Sequence, residues 1–229
     1  MPPRRAVLFD IGDTLVHRPS VGPGRRIAEA LGLDREQGRT IGAWLFREPF
    51  ASPAVLAARI RESFDVAGAA RDPDTVEAAL TAIWEAQQSE PEELPGATAC
   101  VAAARDHGAR IGVVSNIWSP YEAGFRRACP AIVPMIESWN LSYLAGVAKP
   151  DPALFHAALH ALEVDAAHAI MIGDSIAKDV RPALALGMRA IWIPAATDEA
   201  TGDPPAEAIA VRDLAAARAT VLELLGAAV

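Results

Sequence analysis

Four short apolar runs constrain this chain more than any other feature: Ala6 to Asp10, Arg110 to Asn116, Ala169 to Asp174 and Arg189 to Ile193. Each is a short run bounded by glycine or polar residues rather than a strict alternation, which is the pattern of a strand buried on both faces. Helical segments separate them, among them Gly96 to His107, Asp151 to Leu162 and Lys178 to Leu186, with Gly108 and Gly187 placed as stops. Further strands are expected within Ser138 to Tyr143 and near Ala208 to Val211, before a closing helix from Asp213 to Leu225. Strands that alternate with helices predict an α/β protein built on a doubly wound parallel sheet.

One region breaks the alternation. From His17 to about Glu90 the pattern is helical throughout, with breaks at Gly22 to Gly24, Pro49 to Pro53 and Arg71 to Pro73. The segment leaves after the first strand and returns through Pro91 to Pro95, which predicts an all-helical insertion, residues 17–91, above the strand ends of a core made of residues 1–16 and 92–229. A chain of 229 residues with 52% hydrophobic composition can bury a core of that size. Its 21 basic and 29 acidic residues give a net charge of -8 without a dense Lys/Arg run, which argues against nucleic acid as a partner and for a small ligand. No stretch approaches the ~20 apolar residues that span a bilayer, and Pro2 to Arg5 lead into a run too short for a signal peptide, so no membrane partner and a cytoplasmic location are expected. Cys100 and Cys129 have no metal-site or disulfide spacing and are expected as packed thiols; no sequence feature points to an oligomeric state.

At the strand ends of such a sheet, ligands bind. There the sequence places Asp10, Ser115 with Asn116, and Asp174 with Asp179 five residues on, and Lys149 lies in the loop VAKPDP before a helix. Singly, each has an ordinary explanation as a turn or helix-cap residue. Together they create a charge problem, because Asp10, Asp174 and Asp179 would raise one another's pKa unless a cation stood between them. Mg²⁺ suits two or three acids plus a substrate phosphate. Lys149 adds positive charge, and the Ser115 hydroxyl with the amides beside it can donate to phosphate oxygens. With no Ser-His-Asp arrangement in the set, the remaining nucleophile is a carboxylate, and Asp10 is best placed for it.

These residues resemble, in order, the motifs of the haloacid dehalogenase-like (HAD) hydrolases, most of which are phosphatases. FDIGDTL looks like the first motif with its Asp nucleophile, VVSN the second, Lys149 in AKPDP the third, and MIGDSIAKDV the fourth. The insertion is similar to the C1-type helical cap of that family, on a Rossmann-like core. The resemblance implies a small phosphorylated metabolite as substrate, attack by Asp10, phosphate binding by Ser115, Asn116 and Lys149, and Mg²⁺ held by Asp10, the Gly12 carbonyl and Asp174, with Asp179 acting through water or from behind.

One position departs from the family pattern. Its first motif has an acid two residues after the nucleophile, which protonates the leaving group and then activates water; here that residue is Gly12. A main-chain ligand survives that change, but an acid/base worth about 10²- to 10⁴-fold does not. Three replacements are open: Asp13 as acid/base, against a turn-forming role for it; a donor or a water-filled site from the cap, with His17 at the hinge as one candidate donor; or a substrate with a good leaving group, such as an acyl phosphate or a sugar 1-phosphate. A 2-haloacid dehalogenase-like reaction also needs no proton donor, although halide displacement has no use for the metal-site acids, and a degenerate protein could bind a phosphorylated ligand without turnover. His156 and His160, four apart on a helix, lack a third ligand and are expected on an ordinary helix face, while Trp44, Phe46, Phe50, Arg25, Arg26 and Arg47 are expected as cap core and solvated surface.

Overall fold

The structure is a computed structural model that describes residues 3–64, 72–195 and 203–226. Six strands form one all-parallel sheet in the order β3-β2-β1-β4-β5-β6: β1 Arg5–Phe9, β2 Ala109–Ser115, β3 Ser138–Leu141, β4 Ala169–Gly173, β5 Arg189–Trp192 and β6 Ile209–Ala210. This is the predicted α/β sheet. Its central strand, β1, is wholly buried from Ala6 on, because both faces are covered by helices. The chain runs from β1 to β2 and β3 on one side and then crosses to β4 on the other. Such a switch opens a crevice at the carboxyl end of β1, where Asp10 stands.

The insertion contains four helices, α1 Pro23–Leu31, α2 Arg35–Leu45, α3 Pro53–Ser63 and α4 Pro73–Ser89. Proline at the first helical position opens three of them, and side chains cap three: Asp34 with Gln37 forms a reciprocal capping box on α2, Ser52 accepts from Val55 and Asp72 from Thr75. Of the expected breaks, Arg71 lies outside the described residues. Where the insertion leaves and returns, the two chain segments pair, with Leu94 N donating to Leu15 O (2.9 Å) and His17 N to Glu92 O (3.0 Å).

The core helices are α5 Ala97–Asp106, α6 Ser119–Ala128, α7 Ser142–Ala145, α8 Pro152–Ala161, α9 Arg181–Ala185 and α10 Leu214–Gly226. Gly108 and Gly187 end helical segments with φ of 81° and 83°, a conformation that costs glycine little. Strand β3 lies within the expected Ser138 to Tyr143 and ends at Leu141, where α7 begins. Two expectations need correction. The helix expected from Lys178 to Leu186 is split into a single π turn, Ile176–Val180, and α9, because Pro182 has no N–H and Ser175 O accepts from both Asp179 and Val180. Helix α6, absent from the expected set, anchors the insertion: Trp118 Nε1 donates to Gln87 Oε1 (3.0 Å), Trp118 packs edge-on to Trp84, and Arg127 binds the carbonyls of Gln88, Ser89 and Pro91.

Trp44 stacks on Phe64 and Phe50 is buried, as cap-core aromatics should be. His156 and His160 are exposed on α8, and Cys100 and Cys129 are buried free thiols. No described helix is long and apolar enough to cross a membrane.

Helices α1 and α2 pack backbone to backbone. A Cβ on Gly24 would lie 2.4 Å from Gly38 O and 2.6 Å from Gly42 N, whereas one on Gly42 would meet only Gly24 Cα at 3.9 Å. Gly24→Ala should therefore destabilise the protein by about 1–3 kcal/mol in urea unfolding. Gly42→Ala, in the same helix pair, should be neutral or stabilise by up to about 1 kcal/mol.

Candidate active site

Four of the singled-out residues converge at the carboxyl ends of β1 and β4. Asp10 follows β1 directly and is registered on β4 by its N–H to Ile172 O (2.9 Å). Asp174 follows β4, and the π turn brings Asp179 back beside it, where Ser175 N donates to Asp179 Oδ2 (3.0 Å). Oxygens of Asp10, Asp174 and Asp179 lie within 4.8 Å of one another, the one such cluster among the described residues. Lys149 reaches into it from the loop before α8: Nζ is 2.8 Å from Asp10 Oδ1 and 2.5 Å from Asp179 Oδ1.

Burial sharpens the electrostatics. Lys149 is 4% exposed, Asp174 4% and Asp179 0%, so little water screens these charges. Burial pulls the Lys149 pKa down, but Asp10 and Asp179 outweigh it and hold the ammonium above its ordinary value. Burial pushes Asp174 up to about 8, reinforced by Asp10 and Asp179 and opposed by Arg18 and Lys149. Asp179 rises to about 6, again chiefly through burial, with Lys149 pulling the other way. Three carboxylates against one ammonium leave a deficit of positive charge, which an oxygen-coordinated divalent cation would supply. The donor set therefore fits Mg²⁺.

The cluster forms the floor of a cleft of about 960 Å³ whose opposite wall comes from α1 and α2. Gly12, Asn116 and Lys149 line it, as do Phe46 and Arg25 from the insertion; Arg47 is exposed elsewhere and Arg26 pairs with Glu90. Ser115 is buried at the last position of β2, and the cleft wall begins at the next residue, Asn116. Asn116, expected as a phosphate contact, uses its side chain otherwise: Nδ2 donates to Lys149 O (2.9 Å) and Oδ1 accepts from Lys149 N (2.7 Å), which fixes the lysine loop.

Asp13 stands apart from the acid cluster and pairs with Arg18. It has a φ of 52°, the left-handed conformation that aspartate tolerates, and its carboxylate is held by Arg18 through the backbone N–H (2.9 Å) and Nε (3.0 Å). It forms the turn and does not line the cleft. His17 is exposed and is likewise absent from the cleft wall.

Several residues that shape the site carried no recognisable signal. Gly173 is required because a Cβ there would lie 2.4 Å from Asp179 Cγ. Arg18 and Tyr121 flank Gly12, and their neighbourhood arises only from the fold, since Tyr121 lies over one hundred residues downstream.

A model of haloacid dehalogenase-like hydrolases matches residues 4–187. The chain is 31% identical over 121 residues to a glyceraldehyde 3-phosphate phosphatase of Pyrococcus abyssi, covering 53% of this chain and 50% of that protein. It is 32% identical over 133 residues to a phosphoserine phosphatase of Thermus thermophilus, covering 58% and 52%. The chain thus spans about half the length of these curated relatives. A crystal structure of a 2-haloacid dehalogenase from Pseudomonas syringae superposes with a TM-score of 0.66 at 19% identity, over 97% of this chain and 98% of that one, which supports the fold alone. With a family match over most of its length and the family's fold, this chain belongs to the haloacid dehalogenase-like hydrolases.

Proposed function

We propose that the protein is a Mg²⁺-dependent phosphatase of a small phosphorylated metabolite that works through an aspartyl-phosphate on Asp10. The observation that carries this reading is the buried cluster of Asp10, Asp174 and Asp179 around Lys149, in a chain whose curated relatives include phosphatases. Asp10 attacks phosphorus in line. Lys149, held by Asn116, fixes the nucleophile's orientation and neutralises phosphate charge, while Asp179 and the Ser175 amide keep the lysine in place. Mg²⁺, when bound by Asp10, Asp174 and the Gly12 carbonyl, would neutralise the charge that builds on the transferring phosphoryl group. Ser115 donates to a phosphate oxygen, Asp179 supports the metal site from behind, and the segment 17–91 serves as a cap that excludes bulk water. A cytoplasmic setting, where phosphorylated metabolites abound and thiols such as Cys100 and Cys129 stay reduced, suits this reading.

A dehalogenase reading draws on one observation, the glycine at position 12, since halide leaves without a proton. The three clustered acids count against it, because displacing halide from carbon gives them no task.

With Mg²⁺ and p-nitrophenyl phosphate, Asp10→Asn should lower kcat by about 10⁴-fold or more. Equal inactivity of parent and variant would favour the ligand-binding reading, and metal-free turnover of 2-chloropropionate would favour the dehalogenase. The raised carboxyl pKa values make a second prediction. Between the unfolded value of 3.8 and about 8, the folded metal-free protein holds protons on Asp174 that the unfolded chain has lost, so this group's contribution to stability is full at acid pH and is lost as pH rises through about 8. Mg²⁺ must displace those protons, so calorimetry in buffers of different ionisation enthalpy should show release of about one proton per ion at pH 7, falling toward zero well above pH 8.

A further inference from the structure

Gly12 does not leave a gap. A Cβ built on it would lie 3.7 Å from both Cβ and Cδ of Arg18 and 3.8 Å from the Tyr121 hydroxyl, all ordinary contacts. The space into which an acid at this position would project is therefore flanked by an arginine stem and a phenol. Neither neighbour is arranged as a proton donor to substrate. Tyr121 is 7% exposed and its hydroxyl donates to His17 O (2.9 Å), while burial, then Asp13 and Asp10, push its pKa upward. Arg18 keeps its proton throughout the accessible pH range. Asp13, the other nearby acid, is committed to Arg18. No carboxylic acid therefore stands at this place beside the nucleophile, and Arg18, paired with Asp13, lines the cleft.

Resting on the phosphatase reading above, we propose that this site selects acyl phosphates, whose leaving group departs as a stable carboxylate anion, with Arg18 supplying positive charge on the leaving-group side. The chemistry balances without a protein acid. Asp10 forms a bond to phosphorus, the bond from phosphorus to the acyl oxygen breaks, and its electron pair leaves on the carboxylate. Water then attacks the aspartyl-phosphate, the Asp10 carboxylate leaves as an anion, and both water protons remain on the product as dihydrogen phosphate. In neither step does a leaving group need protonation. An alkyl phosphate ester, by contrast, must expel an alkoxide, and the loss of a general acid is felt there in full.

The test is a leaving-group series on the Mg²⁺-loaded protein: acetyl phosphate, p-nitrophenyl phosphate, phenyl phosphate and glycerol 3-phosphate. The parent should show kcat/KM about 10²- to 10⁴-fold higher for acetyl phosphate than for glycerol 3-phosphate. Gly12→Asp, whose Cβ meets only ordinary contacts, should narrow that ratio by about tenfold or more by restoring an acid. Arg18→Gln, the variant that decides if Gly12→Asp fails to fold, should depress acetyl phosphate turnover more than p-nitrophenyl phosphate turnover, which a structural defect would lower alike. Comparable rates across the series for the parent, or equal losses in Arg18→Gln, overturn the inference and leave the phosphatase reading intact. No turnover of any member overturns both.

Discussion

The ammonium of Lys149, buried between Asp10 and Asp179, is the interaction on which the site depends. A lysine this deeply buried costs several kcal/mol to desolvate unless carboxylates meet it. The same carboxylates would repel one another without it. Each charge is thus tolerable only because of the others, and the geometry of the fold supplies the meeting: two neighbouring strand ends, a π turn and a loop before a helix. The Asn116 side chain and the Ser175 amide hold this arrangement in register.

The insertion depends on the core in a different way. Helix α6 grips α4 through Trp118, Trp84 and Arg127, while the α1–α2 pair overhangs the strand ends and is drawn tight by glycine contacts. One wall of the cleft is therefore the buried charge network, and the other is this helix pair.

Much of this was legible in the chain, because buried parallel strands leave continuous apolar runs and their ends carry the acids. Asp10, Lys149, Asp174 and Asp179 stood out through their position after such runs or beside prolines. What stayed hidden is tertiary. The π turn follows from Pro182 denying a helical N–H, yet its effect on Asp179 depends on Gly173 leaving room for the carboxyl. Helix α6 has no long apolar periodicity, and its Tyr121 reaches Gly12 only in the fold. Asp13 looked chemically available in sequence, and the structure engages it with Arg18, five residues on.

An aspartyl-phosphate mechanism requires Asp10 to become phosphorylated. The most direct measurement is acid quench of the protein during turnover of acetyl phosphate with Mg²⁺, followed by peptide mass analysis. A phosphoryl group on the peptide that contains Asp10, absent from the Asp10→Asn protein, is the predicted result. Turnover with no phosphorylated peptide, or with the group on another residue, would contradict it.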